Sequence, residues 1–333
     1  MTLLALLLIV INLVSGSVSI SASEVFSILL GDADPLSVPG IIVREARLPQ
    51  TVTALLVGAS LAVGGLLMQT LFRNPLAGPS ILGISNGANL GVAIVMLGGT
   101  AWLGGSFAAT LYGSLGIILG ALLGSFAMLA LIIYCSTRIR NTVMLLIIGM
   151  MMGYLASSVI TILNYYSSAD RVRAFVMWGM GDFSSVTLGQ LPLFMLLLLP
   201  VLVGSLLLIK PLNALLLGEQ YAANLGVNLR LLRVAILFVV GWLTAVSTAY
   251  CGPISFVGLA VPHVARMAVG SSNFRRLLPV TLLAGSNVAL LCLWLSHLPL
   301  GSGMVPLNAI TPLLGAPVIL YVILGRRKLH YFQ

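Results

Sequence analysis

Across 333 residues the chain offers seven acidic side chains, three histidines, three cysteines and two lysines, and their spacing excludes most chemistry. A nucleotide-binding loop needs Gly-x4-Gly-Lys-Ser/Thr, so that amides and a lysine cradle phosphate. Lys210 and Lys328 both lack that context. No His-Glu-x-x-His pair offers a zinc site, and Cys135, Cys251 and Cys292 stand far apart without ligand spacing. Ser85 has no base partner legible in sequence, while His263 and His297 sit singly in apolar runs and His330 lies in the tail. A lone histidine in such a run reads as hydrogen-bonded structure rather than a proton relay. No catalytic residue, metal ligand or cofactor is assigned.

What chemistry the chain does offer is backbone chemistry. Residues 73–88, Arg-Asn-Pro-Leu-Ala-Gly-Pro-Ser-Ile-Leu-Gly-Ile-Ser-Asn-Gly-Ala, are dense in helix breakers yet lie between long apolar runs. In lipid an unpaired backbone group costs several kcal/mol, so broken backbone survives only inside protein or beside a watery cavity. Pro/Gly-interrupted segments among membrane helices point to a transport pathway. The plainer reading is a loop joining two helices. Asn74, Ser85, Asn86 and Asn89 favour a channel-lining or gating role.

The elements that must hold this segment follow from composition. The chain is 59% apolar with only 7% charged residues, against roughly 25% charged in a soluble domain, so it is an integral membrane protein. Its net charge of +9 reflects residues flanking membrane helices and does not imply nucleic-acid binding. A membrane helix needs about 20 apolar residues, and ten candidate runs can be marked, the eighth and tenth being short for it: 1–16, 48–71, 81–97, 108–134, 143–163, 191–209, 231–250, 254–269, 277–295 and 310–324. The first could instead be a signal peptide, but it lacks a positive leading segment. The fourth is long enough to tilt or protrude. Gly116, Gly120 and Gly124 form one small-residue stripe, and Gly149 with Gly153 another. Such stripes let helix backbones approach closely, within the chain or between subunits, the former being favoured in a chain of many helices. The expected fold is all-α, a single polytopic domain over 1–333 with ten transmembrane helices.

Ten spans place both termini on one side. That side then carries Arg73, Arg138, Arg140, Lys210, Arg230, Arg233, Arg275, Arg276, Arg326, Arg327 and Lys328, with Arg266 near its edge and Glu219 as its single acid. The other side carries Arg44, Arg47, Arg171 and Arg173 among six acids. Lys/Arg excess marks the cytoplasmic face, so both termini are expected there.

By this map all seven acids fall in loops. Proton- and voltage-driven machines usually carry ionisable groups inside their helices. An ion-coupled secondary carrier using carbonyls and hydroxyls stays open as the alternative, as does a membrane scaffold. If the protein pumps a solute, its energy comes from another chain. The loop over 210–231 could receive it: two short helices separated at Gly218, the second opening with Glu219, whose charge suits a helix N-terminus, and closing at Leu225 before Gly226. Leu215, Leu216, Leu217, Tyr221 and Leu225 give it more apolar surface than a plain loop needs. It could rest on lipid headgroups or dock into a partner protein, and pattern alone does not choose.

Several motifs occur together, in order, over most of the chain: Arg47-Leu-Pro, Gly58-Ala-Ser-Leu-Ala, Gly64, Gln69 and the 73–88 segment. Leu212, Asn213, Gly218, Glu219, Leu225 and Gly226 follow, then Gly252-Pro-Ile-Ser-Phe-Val-Gly-Leu-Ala-Val-Pro-His263 with Arg266, and Gly315-Ala-Pro. In these the chain resembles the FecCD-type permeases of bacterial ABC importers for iron–siderophore complexes, haem and vitamin B12. The resemblance implies a bundle like that of the vitamin B12 importer permease in the bacterial inner membrane. Its implied partners are a second permease copy, two ATPase subunits, a substrate-binding protein and membrane lipid. It implies a gate at Asn74, Leu76, Asn141 and Thr142, and ATPase coupling through Leu217, Gly218, Glu219, Tyr221, Ala222, Leu225 and Gly226. It further implies a pathway along Gln69, Met150, Met151 and Tyr154, although a methionine run in a helix reads more readily as packing. Arg44, Arg47, Arg171 and Arg173 are the expected docking cations, since Gln50 and the region of His297 replace family arginines. An acidic residue common in the family's ninth helix has no counterpart, Asn287 and Leu293 standing there.

Overall fold

A computed structural model describes residues 1–16, 18–32, 34, 37–98, 114–139, 141–297 and 305–324. Arg140, Arg326, Arg327, Lys328, His330 and the 108–113 part of the fourth predicted span lie outside the described residues. Among those described there are helices and no strand. In chain order they are α1 Thr2–Val14, α2 Ala22–Leu30, α3 Val38–Leu71, α4 Ile84–Met96, α5 Ser114–Arg138, α6 Thr142–Tyr166 and α7 Ala169–Gly179. Then follow α8 Leu191–Gly204, α9 Ile209–Leu216, α10 Glu219–Asn224, α11 Leu229–Cys251, α12 Val257–Val269, α13 Phe274–Ser296 and α14 Leu307–Leu324.

Among the described residues six helical stretches are long and apolar enough to cross a membrane, and four shorter apolar helices (α1, α4, α12 and α14) fall on the other predicted spans. At 1.5 Å per residue the 13 residues of α4 and of α12 rise only about 20 Å, short of the ~30 Å hydrocarbon core. Each is preceded by a broken segment, 73–83 and 252–256 respectively.

Two helices went unexpected, α2 and α7, because neither is an apolar run of spanning length. The start of α2 was nevertheless written in the sequence: Ser21 Oγ accepts from Glu24 N at 3.3 Å, a Ser-x-x-Glu opening that satisfies an orphan amide. The second predicted span also begins earlier. Its helix runs back to Val38 through a π-helical stretch, Ile42–Arg47, so Arg44, Glu45 and Arg47 are helical rather than looped.

The core is built around α3. Between Leu48 and Leu71 all but Leu48, Val52 and Leu55 are buried, because α11, α12 and α13 pack along it. Glycines set the separations. A methyl added at Gly58 would overlap the carbonyl of Gly285 on α13, and one at Gly65 would overlap that of Gly258 on α12. Pro262 has no N–H to return to the Gly258 carbonyl, so that oxygen is free to face α3. Both sequence stripes likewise serve contacts within the chain. Gly120 and Gly124 of α5 meet Gly91 and Gly87 of α4, while Gly149 and Gly153 of α6 receive Ile81 and Asn86.

Overpacking of this kind costs about 1–3 kcal/mol. Gly65→Ala should therefore lower the thermal midpoint of the detergent-solubilised protein by several degrees. Gly189→Ala, where nothing lies within 4 Å of an added methyl, should leave it unchanged.

Candidate functional site

The first break begins where α3 runs out. Arg73 adopts a left-handed φ of +46°, which turns the chain sharply. Asn74 then closes the turn on itself, its Oδ1 accepting from Leu76 N at 2.9 Å, a local bond that asparagine favours over helix. This leaves Leu76 projecting, 40% exposed. The Pro75 carbonyl, which a loop in lipid would leave orphaned, accepts from His263 Nε2 of α12 at 2.8 Å. One 3-10 turn, Pro79–Leu82, leads into α4.

The second break precedes α12. Gly252 and Phe256 both take positive φ, 72° and 66°, and a bulky aromatic there is strained by about 1–3 kcal/mol. Asn308 of α14 holds the segment: Oδ1 accepts from Ser255 N at 3.0 Å, and Nδ2 donates to Pro253 O at 2.6 Å and Gly179 O at 3.0 Å. Gly315 makes room for the Phe256 ring, since an added methyl would sit 3.0 Å from Phe256 Cβ. The Gly315-Ala-Pro motif thus has a steric reason. Sequence reasoning missed Asn308. The Pro-Ile-Ser-Phe run announces backbone groups in need of partners, but a partner about 50 residues away is invisible along the chain.

The two breaks face each other across a cleft of about 200 Å³, with Leu76, Ser80 and Ser85 on one side and Ile254, Ser255 and Phe256 on the other. A separate apolar crevice of about 530 Å³ opens between α4, α5 and α6.

The helix ends around the first break form a basic end of the bundle. Arg230 and Arg233 at the start of α11 donate to Thr137 O and Ile139 O at the end of α5, at 3.1 and 3.2 Å. Asn141 caps α6, accepting from Val143 N at 2.9 Å, and Thr142 is the first residue of that helix. On α6, Met150, Met151 and Tyr154 are exposed, so they form an open face and are not core filler. Met152 turns into the apolar crevice.

Gln69 departs from its expected place. It is fully buried, its Nε2 donating to Leu259 O at 3.1 Å and its Oε1 accepting from Arg266 Nη1 at 2.5 Å. Both ends of the amide are spent tying α3 to α12, so it lines no pathway.

The 210–231 segment is the expected hairpin, with α9 and α10 separated at Gly218 (φ +113°) and closed at Gly226 (φ +84°). Leu212 and Leu215 anchor it inward, while Leu217, Tyr221 and Leu225 are 66%, 51% and 59% exposed. Glu219 is also exposed. Ala222 is the correction here: it is fully buried and offers no surface to a partner.

At the opposite end the arginines divide. Arg47 is only 6% exposed; its guanidinium donates to Leu13 O at 2.8 Å, to Val14 O at 2.7 Å and to Val18 O. It satisfies the C-terminal carbonyls of α1, which have no helical partners, and offers no charge to a docking protein. Arg44 Nη2 donates to Ile28 O at 2.7 Å. Arg173 is exposed, and Arg171 is half-exposed beside Asp170. Gln50 is buried, and His297 Nδ1 bonds Leu293 O at 2.7 Å. Asn287 Nδ2 donates to Met1 O at 3.2 Å, fastening α1 to α13.

The sequence profile of the FecCD transport family matches residues 3–325. The chain is 38% identical over 330 residues to a vitamin B12 import system permease protein, BtuC, of Klebsiella pneumoniae, covering 98% of this chain and 93% of that one. A protein of the same name from Serratia proteamaculans is 40% identical over 283 residues, covering 85% and 82%. Among solved structures, an inward-facing conformation of an ABC transporter assigned to the metal-chelate type is similar at 33% identity. Its TM-score is 0.83, over 98% of this chain and 97% of that one.

The two outer arginines predict opposite outcomes. Arg47→Leu should leave the end of α1 unsatisfied, at about 1–3 kcal/mol per orphaned carbonyl, and so lower the thermal midpoint strongly. Arg173→Ala, a surface change expected within about 0.5 kcal/mol, should leave that midpoint in place.

Proposed function

This chain belongs to the FecCD transport family, and from that premise we propose how it moves its solute. It is the membrane-spanning permease subunit of an ABC importer and performs no covalent chemistry. The solute we assign is a bulky metal chelate, of the cobalamin or iron–siderophore kind; the similar proteins are named for vitamin B12 and for metal chelates. The basic end faces the cytoplasm, with both termini there, in accord with the Lys/Arg bias.

Each structural feature then takes a role. Leu217, Tyr221 and Leu225, exposed on a hairpin too short to fold by itself, form the surface that a separate ATPase grips, with Glu219 at its edge. That exposed apolar hairpin, on a chain without any phosphate-binding motif, is the observation that carries the reading. Asn74 and Leu76, with Asn141 and Thr142 at the start of α6, form the cytoplasmic gate. Met150, Met151 and Tyr154 on the open face of α6 line the route, shared with a second permease copy. Such a surface of thioether and aromatic groups lets a large rigid solute slide without being ligated. Arg173, Arg171 and Arg44 remain for docking a substrate-binding protein at the outer end, while Arg47 and Gln69 drop from the functional set. No acidic residue lies between Leu48 and Tyr166 or after Glu219, which leaves ion coupling without the usual carboxylates.

The test is reconstitution of the chain in vesicles with its ATPase and binding protein. Uptake of labelled cobalamin or ferric siderophore should require ATP; accumulation driven by an ion gradient with no ATPase present would overturn the assignment. Glu219→Arg and Gly218→Pro, the latter incompatible with a φ of +113°, should each lower uptake per ATP about tenfold or more while the protein stays in the membrane. Leu76→Ala should raise the ATP-independent leak of solute; an equally tight vesicle would count against the gate.

A further inference from the structure

A continuous set of contacts joins the hairpin to the first break, and it runs through α12. At the hairpin end, Asn213 of α9 uses both halves of its amide. Its Oδ1 accepts from Phe274 N, the first amide of α13, at 2.9 Å, and its Nδ2 donates to Asn273 Oδ1 at 3.3 Å. Asn273 in turn caps α13 through Arg275 N at 2.9 Å. The three residues before it, Gly270 to Ser272, form the tight link between α12 and α13, with Gly270 left-handed at φ +61°. Phe274 is buried, so this corner is anchored and not a loose loop.

At the other end α12 holds the gate turn from the side. Arg266 reaches Gln69 in the last turn of α3, and Gln69 returns to Leu259 O of α12. One helical turn from Arg266, His263 donates to Pro75 O, between Asn74 and Leu76. The close pairing of Gly258 with Gly65 leaves no slack between α12 and α3. A helix fastened at both ends and held in close contact with α3 transmits displacement along that contact, as dense packing does generally.

We propose that α12 is the lever that carries movement of the cytoplasmic hairpin to the Asn74-Pro75-Leu76 turn, with Asn213 and His263 as the positioning residues at its two ends. The proposal rests on the gate and hairpin roles assigned above. It adds which side chains connect them. In it Asn213 reports hairpin position to the α12–α13 corner, and His263 makes the turn follow α12. Neither residue touches solute or nucleotide.

Two measurements test it. The first needs no partner chain. In membranes holding the chain with Cys135→Ser, where the other cysteines, Cys251 and Cys292, are buried, Leu76→Cys reports the turn through its rate of thiol labelling. His263→Leu should change that rate about fivefold, and His263→Gln, which keeps a donor, should restore it. An unchanged rate in His263→Leu overturns the clasp whatever the chain transports.

The second uses the full complex in vesicles, where ATP-dependent uptake by the unmodified chain separately tests the importer reading. Asn213→Leu and His263→Leu should each cut uptake per ATP hydrolysed about tenfold, a coupling loss of the usual allosteric size, with ATP hydrolysis within about twofold. Asn213→Asp, which keeps the acceptor for Phe274 N, and His263→Gln should recover most of it. The double apolar variant should lose little more than either single one, since links in series fail together. Unchanged coupling in either apolar variant, or conservative variants as defective as the apolar ones, overturns the lever.

Discussion

A peptide group inside a bilayer has no water to fall back on, so each N–H and C=O must find a partner within the protein. Two stretches of this chain abandon the helical ladder inside the bundle, and the architecture around them is a set of answers to that deficit. Asn74 bonds its own turn, His263 takes the Pro75 carbonyl, and Asn308 serves three backbone groups of 179, 253 and 255. Buried arginine is used the same way. Arg47 collects the loose carbonyls at the end of α1, and Arg266 completes Gln69. Cations that look functional by charge are here hydrogen-bond donors with a structural duty.

Close packing supplies the other half. Lipid tails are as apolar as leucine, so helices associate by shape and not by water exclusion. Glycine contacts of α3 with α12 and α13 bring backbones together, which makes this part of the molecule dense. The opposite condition holds along α6, whose open face carries Met150, Met151 and Tyr154. The route proposed along α6 rests on that contrast between an enclosed frame and an uncommitted surface.

Much of this could be read along the chain. Hydropathy located the spans, the glycine spacing marked where helices would touch, and Gly218 with Gly226 outlined the hairpin to within a residue. Those features are local or periodic, and local physics determines them. The misplaced side chains share one cause, which is direction. Gln69, Ala222 and Arg47 occupy suitable positions, but whether a side chain points inward depends on neighbours remote in sequence. Asn308 was missed for the same reason. Both α2 and α7 escaped because they lie outside any spanning apolar run, although Ser21 and Glu24 had marked the start of α2.

The crevice between α4, α5 and α6 bears on how cheaply the molecule changes shape. Where a helix is packed on all sides, swinging it opens vacuum, and each lost contact must be made good. On the crevice side α6 has fewer contacts to lose, because its side chains there border about 530 Å³ of open space. Rocking α6 across that space therefore disturbs less packing than moving α3, which is enclosed along nearly its whole length.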